Sequence, residues 1–294
     1  MSLYSIRDLE HLSGIKAHTL RIWEQRYNIV TPKRTDSNIR YYDDEDLKLI
    51  LNISLLKDND HKISHIAEMS PEDMKNEVFR ITDKSTKADE QVQALTLAMI
   101  DLDEERFEKL IGTNALQMGF ERTMLQVIYP FLIRIGFLWQ TGAINPAQEH
   151  FITNLVRQKL IVAIDGQVIH PEKNASKYLL YLPEGEMHEL SLLFANYIIK
   201  TRNHKVIYLG QSLPFVDLER VCKLHQPEYI MTIVTAAPIE EGMQNYINRL
   251  SNTFPTSTIL MSGYKVVGQD WKTPENVTLI NKIEDLIDLV ERNV

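Results

Sequence analysis

The chain has 294 residues, 44% of them hydrophobic and 24% charged, a globular composition at a length that suits two or three domains. Net charge is −8 and Cys222 is the only cysteine; this excludes an intrachain disulfide and a thiolate metal cluster, and argues against nucleic-acid binding spread over the whole surface. No apolar run approaches the roughly 20 residues of a membrane span, and the opening MSLYSIRDLE has no apolar core behind a basic tip, so a soluble cytoplasmic protein without membrane contact is expected.

Residues 1–75 read as short helices and a hairpin. Ser5 with Asp8 marks a helix start, with Ile6, Leu9 and Leu12 on one face, and Gly14 ends that helix. A second helix runs from about Lys16 to Tyr27, with Leu20, Trp23 and Tyr27 inward. The stretch TPKRTDSNIRYY then reads as a β-hairpin wing. Asp43 caps a third helix carrying Leu47, Ile50, Leu51, Ser54 and Leu55, and a shorter helix covers about Ile63–Met69. Residues 76–90 read as a linker or a loosely packed helix end, because ITDKSTKADE (81–90) has mixed charge and little to bury.

Residues 91–170 keep helical spacing, with breaks near Asp101–Glu104, Met118–Gly119 and Thr141–Pro146, and form a four-helix bundle. From 175 to 294 the period changes. KYLLYLP, KVIYLG, YIMTIV, STILMSG and NVTLI are strands, and helices at about 187–201, 214–225, 239–253 and 282–292 alternate with them. The expected fold is multidomain α and α/β: a winged helix-turn-helix, a helical bundle and a flavodoxin-like doubly wound parallel sheet.

Two helices across a tight turn and then a wing would place the second helix in a DNA major groove. Lys16, His18, Thr19 and Arg21 are its candidate contacts, while Lys33, Arg34, Asn38 and Arg40 suit phosphates from the wing. Residues 1–41 hold seven basic and four acidic side chains, a net +3 on an acidic chain. A purely structural helix-turn-helix with a solvated basic face stays open on this evidence.

In the bundle, Trp139 closes one helix and Glu149–His150 open the next. A flat tryptophan face beside polar groups suits a ligand; equally, Trp139 plugs the core and Glu149 caps a helix. His188 follows the first strand of the α/β region, at the ligand-binding edge of such a sheet, where a neutral imidazole can ligate a metal; the alternative is a polar surface residue. Glu186 is expected to orient it only indirectly.

The segment YSIRDLEHLSGIKAHTLRIWEQRYNIVTPKRTDSNIRYYDDEDLKLI closely resembles the DNA-binding domain of the MerR family, over residues 3–70. The resemblance implies a dimer on palindromic promoter DNA, with Arg21, Arg34, Arg40 and Tyr41 as DNA contacts and Trp23 in the core. The family's metal and redox sensors use cysteines, which this chain lacks near that domain.

Trp-x9-Glu-His followed by Glu-x-His resembles the cobalamin-binding module that also occurs in methionine synthase and corrinoid carrier proteins. With the MerR segment, nearly the full chain resembles the CarH/LitR family of cobalamin-dependent light-sensing repressors. That resemblance implies adenosylcobalamin or methylcobalamin, with His188 on cobalt from below and Trp139, Glu149 and His150 over the upper face. It also implies a nucleotide tail cradled near Ser191, Thr235, Ser262 and Gly263. Three positions depart from the pattern. Ser191 replaces a glycine, Ser262-Gly263 replaces a glycine pair and precedes bulky Tyr264, and Gln140 stands where light-sensing members place a histidine.

The expected protein is therefore a DNA-binding repressor rather than an enzyme, a homodimer or higher homo-oligomer on double-stranded promoter DNA. Its assembly or DNA affinity would be controlled by cobalamin bound between the bundle and the α/β domain. The alternatives are a module that has lost cobalamin and serves oligomerisation or a protein partner, and a corrinoid carrier protein.

Overall fold

Helix starts near the N-terminus are set by side chains that satisfy otherwise unpaired N–H groups. Ser5 opens α1 (Ile6–Ser13) as a capping box with Asp8, and Gly14 ends it in the left-handed region at φ 72. After a short turn comes α2 (Ala17–Tyr27), closed by Asn28. The strands β1 (Lys33–Arg34) and β2 (Arg40–Tyr41) pair antiparallel as a wing. Asp43 then opens α3 (Asp44–Asp58) with a second capping box, to Asp46. The computed structural model describes residues 4–34, 38–84, 87–140, 145–168, 175–237 and 239–292, and the chain divides into units 1–155 and 156–294.

The first unit is organised on α3. Its buried residues include Leu47, Ile50, Leu51, Ile53, Leu55 and Leu56, which point in more directions than one amphipathic stripe allows. The helix accordingly packs against α1, and the Ser54 hydroxyl donates to the Ser13 carbonyl at 2.6 Å. After α4 (Ile63–Ile66), α5 (Pro71–Lys84) covers another side of α3. Of the two readings of this stretch, linker or helix end, the structure has the second: most of 76–90 is helix. Met74 and Val78 are buried, so two well-spaced apolar residues are enough when α3 offers them a surface. The helix α6 (Ala88–Asp101) is buried at every position from Glu90 to Ile100 and packs on α3 from the bundle side.

The bundle continues with α7 (Glu104–Met118), α8 (Phe120–Thr123), a π-helical turn at Met124–Ile128, α9 (Tyr129–Gln140) and α10 (Pro146–Asp165). Gly119 makes the break before α8 at φ 84. Its buried polar groups include Asn114, whose amide donates to the Gln91 side chain at 2.9 Å. The predicted break at Thr141–Pro146 falls mainly on 141–144, outside the described residues.

In the second unit, β3 (Lys177–Pro183), α11 (Leu190–Thr201), β4 (Lys205–Leu213), α12 (Phe215–His225), β5 (Tyr229–Ile233), α13 (Met243–Thr253), β6 (Thr258–Ser262), β7 (Val277–Leu279) and α14 (Ile283–Glu291) alternate. The sheet is parallel in the order β4-β3-β5-β6-β7, the doubly wound arrangement expected. Side chains along β3 alternate between two cores. Leu179 and Tyr181 pack with α12 and α13, whereas Tyr178, Leu180 and Leu182 pack with α11 and α14. Strand order reverses between β3 and β5, which makes the crevice at their carboxyl ends the ligand-binding switch point of the sheet.

Candidate functional site

On the first unit, α2 and the wing carry the predicted DNA contacts. His18 and Arg21 are exposed on α2 and Thr19 is half-buried. Lys16, at the cap of α2, pairs with Glu10 at 3.1 Å. Glu10 also accepts the Ala17 N–H at 3.1 Å, and these bonds hold its carboxyl below the usual range. The carboxylate thus staples the turn between α1 and α2. Trp23 lies in the core, 6% exposed.

The wing residues separate into two groups. Lys33 is held by Asp43 at 2.5 Å and Asp46 at 2.8 Å, so its ammonium is already engaged in anchoring β1 to the start of α3. Arg34 donates to the Asn38 side chain at 2.7 Å, and Asn38 sits in the left-handed region at φ 65. Arg40 is exposed and Tyr41 half-buried. Neither Arg21 nor Arg40 has an ion pair among the described residues. Beneath them, the Tyr42 hydroxyl donates to Glu24; burial and that carboxylate push the phenol well above its ordinary range. This clasp joins β2 to α2, and no spacing rule in the sequence announces it.

The second candidate site lies on the loops after β3, β5 and β6. Glu186 is fully buried and His188 is 60% exposed at the side chain, with His188 Nδ1 2.6 Å from Glu186 Oε1. The contact is direct, which corrects the expectation that Glu186 orients His188 only indirectly. A chain reversal after Pro183, where the Glu186 N–H bonds the Pro183 carbonyl, folds residues two apart onto one another. The other oxygen of Glu186 accepts the N–H groups of Thr235, Ala236 and Ala237 at 2.8, 2.7 and 3.0 Å. Burial pushes the carboxyl up, but these N–H groups and the histidine overcome it and bring it down to about 2. An ionised Glu186 accepts from Nδ1–H and thereby leaves Nε2 of His188 as a lone-pair donor.

Ser191 stands in the first turn of α11, half-buried. The Ser262 hydroxyl donates to the Ile280 carbonyl at 2.7 Å. Gly263 has φ +104, and a Cβ there would lie 2.4 Å from the Val234 carbonyl oxygen, so only glycine fits. Lys265, not anticipated from the sequence, donates to the carbonyls of Ala236 and Ala237 at 3.1 and 2.7 Å. The structure therefore brings Glu186, His188, Thr235, Ser262 and Gly263 to one sheet edge.

Glu149 and His150 lie in the first turns of α10, with side chains 33% and 73% exposed and 3.8 Å apart. Trp139 and Gln140 stand in the last turn of α9; their side chains lie outside the described residues. His188 belongs to the second unit and these four to the first.

Comparisons with known proteins agree with both halves. Residues 4–73 match the model of the MerR HTH family of regulatory proteins, and residues 91–163 match a B12 binding domain. The HTH-type transcriptional repressor CarH of Myxococcus xanthus is 26% identical over 258 residues, 86% of this chain and 85% of that one. The repressor CarA of the same organism is 24% identical over 240 residues, 80% and 78% of the two chains. The regulator MlrA of Escherichia coli is 36% identical over 66 residues, 22% of this chain and 27% of that one. Among solved structures, the monomethylamine corrinoid protein of Methanosarcina barkeri shares the fold, with a TM-score of 0.53 at 12% identity, covering 67% of this chain and 95% of that one. Both repressors align over most of their own length, and the two matched models fall in the order that the winged domain and bundle occupy here. The chain thus matches the MerR HTH family over its first domain and a B12 binding domain over its bundle, and is similar over most of its length to two HTH-type transcriptional repressors.

Proposed function

We propose that the chain binds promoter DNA as a homo-oligomer and that cobalamin, held through His188, controls its assembly or its DNA affinity. The observation that carries the cofactor assignment is the His188–Glu186 pair. A buried, ionised carboxylate fixes the ring by Nδ1 on a side chain that is 60% exposed and leaves Nε2 as the donor atom, which is the chemistry a cobalt ligand needs. Gly263 keeps the β6 loop close against β5, and Thr235 and Ser262 border the same edge. These residues fit the corrinoid, with Ser191 and Ser262 the two positions where a side chain stands in place of an expected glycine. When bound, cobalamin would supply a cobalt centre with exchangeable coordination; His188 would hold it, and Glu186 would keep that imidazole in one tautomer. Trp139, Glu149 and His150 are proposed for the upper face.

At the DNA end, α2 presents His18, Thr19 and Arg21, with Arg21 suited to bidentate contact with guanine. Arg34, Asn38, Arg40 and Tyr41 are proposed for the backbone, together with Lys16. Lys33 is proposed to position the wing, since two carboxylates already engage it. Control by the corrinoid requires that it bind the assembly states with different affinity. CarH and CarA are named as repressors, and repression is the sense proposed for this chain.

The test is an absorbance spectrum of the full chain after incubation with adenosylcobalamin in the dark and desalting, repeated after green light. Retained corrinoid bands that disappear in His188→Ala support the site. Equal retention by His188→Ala overturns the assignment. A second reading, a module without cofactor serving oligomerisation, is favoured by Ser262 and Lys265, whose polar groups are already bonded within the protein. A colourless protein that still shifts promoter DNA would establish it.

A further inference from the structure

The first unit contains a cavity that neither the DNA-contacting face nor the corrinoid site uses. It has a volume of about 580 Å³ and is lined from the end of α2 through α3, α5 and α6 to Arg106 on α7. Its wall includes the apolar side chains of Leu49, Ile53, Met74, Val78 and Leu97. That volume is in the range of sites for small organic ligands.

The charges lining it sum to zero, Glu45, Asp46 and Asp101 against Lys48, Lys75 and Arg106, but they are not all paired within the wall. Lys48 is taken by Asp101 at 2.5 Å and Glu45 at 2.9 Å. Asp46 is taken by Lys33. Arg106 is left over: its Nε is shut off from water with no hydrogen-bond partner, and its guanidinium has no ion pair among the described residues. Burial lowers its pKa, and Asp101 and Asp103 oppose this at longer range. A buried donor on a cation without an acceptor is costly, and buried charges in folded proteins are ordinarily paired.

We infer that this cavity is a binding site for a small carboxylate with an apolar body, its carboxylate paired with Arg106 and its hydrocarbon against Leu49, Met74 and Leu97. A planar guanidinium matches a carboxylate with paired hydrogen bonds, and the wall supplies the apolar contact. The cavity reaches Tyr27 and Asn28 at the end of α2, so an occupant touches the helix that carries the predicted base contacts. This site is independent of the corrinoid.

Octanoate, octylamine and octanol serve as probes against the full chain, with binding read by isothermal titration calorimetry. The expected result is saturable octanoate binding, at least tenfold tighter than octylamine or octanol. Arg106→Gln should weaken octanoate by on the order of tenfold or more, the loss expected for one charge-assisted pair, and leave octanol unchanged. Leu49→Trp, which keeps the arginine and fills the cavity, should abolish binding of all the probes. If Arg106→Gln unfolds the chain, Arg106→Lys and Leu49→Trp carry the test. Octanoate binding that survives Leu49→Trp, or octylamine binding as tightly as octanoate, overturns the proposal.

Discussion

Glu186 is connected at both oxygens, one to the backbone and ring of His188 and the other to three N–H groups of the loop after β5. Its carboxyl is lowered from an ordinary 4.5 to about 2. A depressed folded-state pKa adds stability that is present above the unfolded value and lost as pH falls through the folded one. The loss from this group therefore lies between pH 4.5 and about 2, and is on the order of 3 kcal/mol. Glu186→Gln should lower stability at pH 7 by that order and flatten the acid limb of urea-midpoint curves over the same window. An unchanged acid limb would show that the carboxylate is not so held. Gly263→Ala is expected to cost more than an ordinary surface change, roughly 2–4 kcal/mol, because strain at positive φ adds to a clash with Val234. Chemical denaturation of the variant checks it.

Capping decides where the DNA-binding elements begin and ties the wing to them. Asp43 caps α3 and also holds Lys33 of β1. Asp43→Ala should therefore destabilise the first unit by about 1–2 kcal/mol and loosen the wing, while Asp43→Asn keeps the cap and loses only the ion pair. Comparing the two in urea denaturation separates the effects; identical losses would mean that the cap contributes nothing beyond the pair, and an Asp43→Asn variant as stable as the parent would mean that the pair contributes nothing. On α2, Arg21→Ala is expected to cost about 1–3 kcal/mol of promoter affinity and to relax sequence preference at one base position. Arg40→Ala should weaken all DNA sequences alike. Gel-shift titrations on specific and scrambled sites distinguish these outcomes.

The charge pattern makes a prediction for the whole molecule. The chain carries −8 overall but +3 over residues 1–41, so DNA binding rests on a small cationic face within an acidic protein. Promoter affinity should fall steeply with salt, and Arg40→Ala should reduce the slope of log K against log salt by about one phosphate contact. A slope unaltered by Arg40→Ala removes that residue from the interface. Over the full chain, His188→Ala should lose corrinoid while the cofactor-free protein keeps its promoter affinity, since α2 and the wing belong to a separate unit.

The Ser5–Asp8 capping box, the cap at Asp43, the turn at Gly14, the alternation of strands with helices and the doubly wound sheet were legible in the residues, because each rests on short-range chemistry: an N-cap beside its helix, a positive-φ turn, a period of two or about three and a half. The MerR-like motif and the Trp-x9-Glu-His and Glu-x-His patterns point to the regulator and its module from the residues alone. Tertiary structure alone decided the rest. Helix α5 forms where the chain reads as a linker or loose helix end because α3 has a further face to cover. Glu186 reaches both His188 and the loop at 235–237 because a parallel sheet brings loops some 50 residues apart in the chain to one edge. Lys33 turns inward to Asp43 and Asp46, and Arg106 lines a cavity without a partner, because pairing depends on distances that sequence spacing does not set.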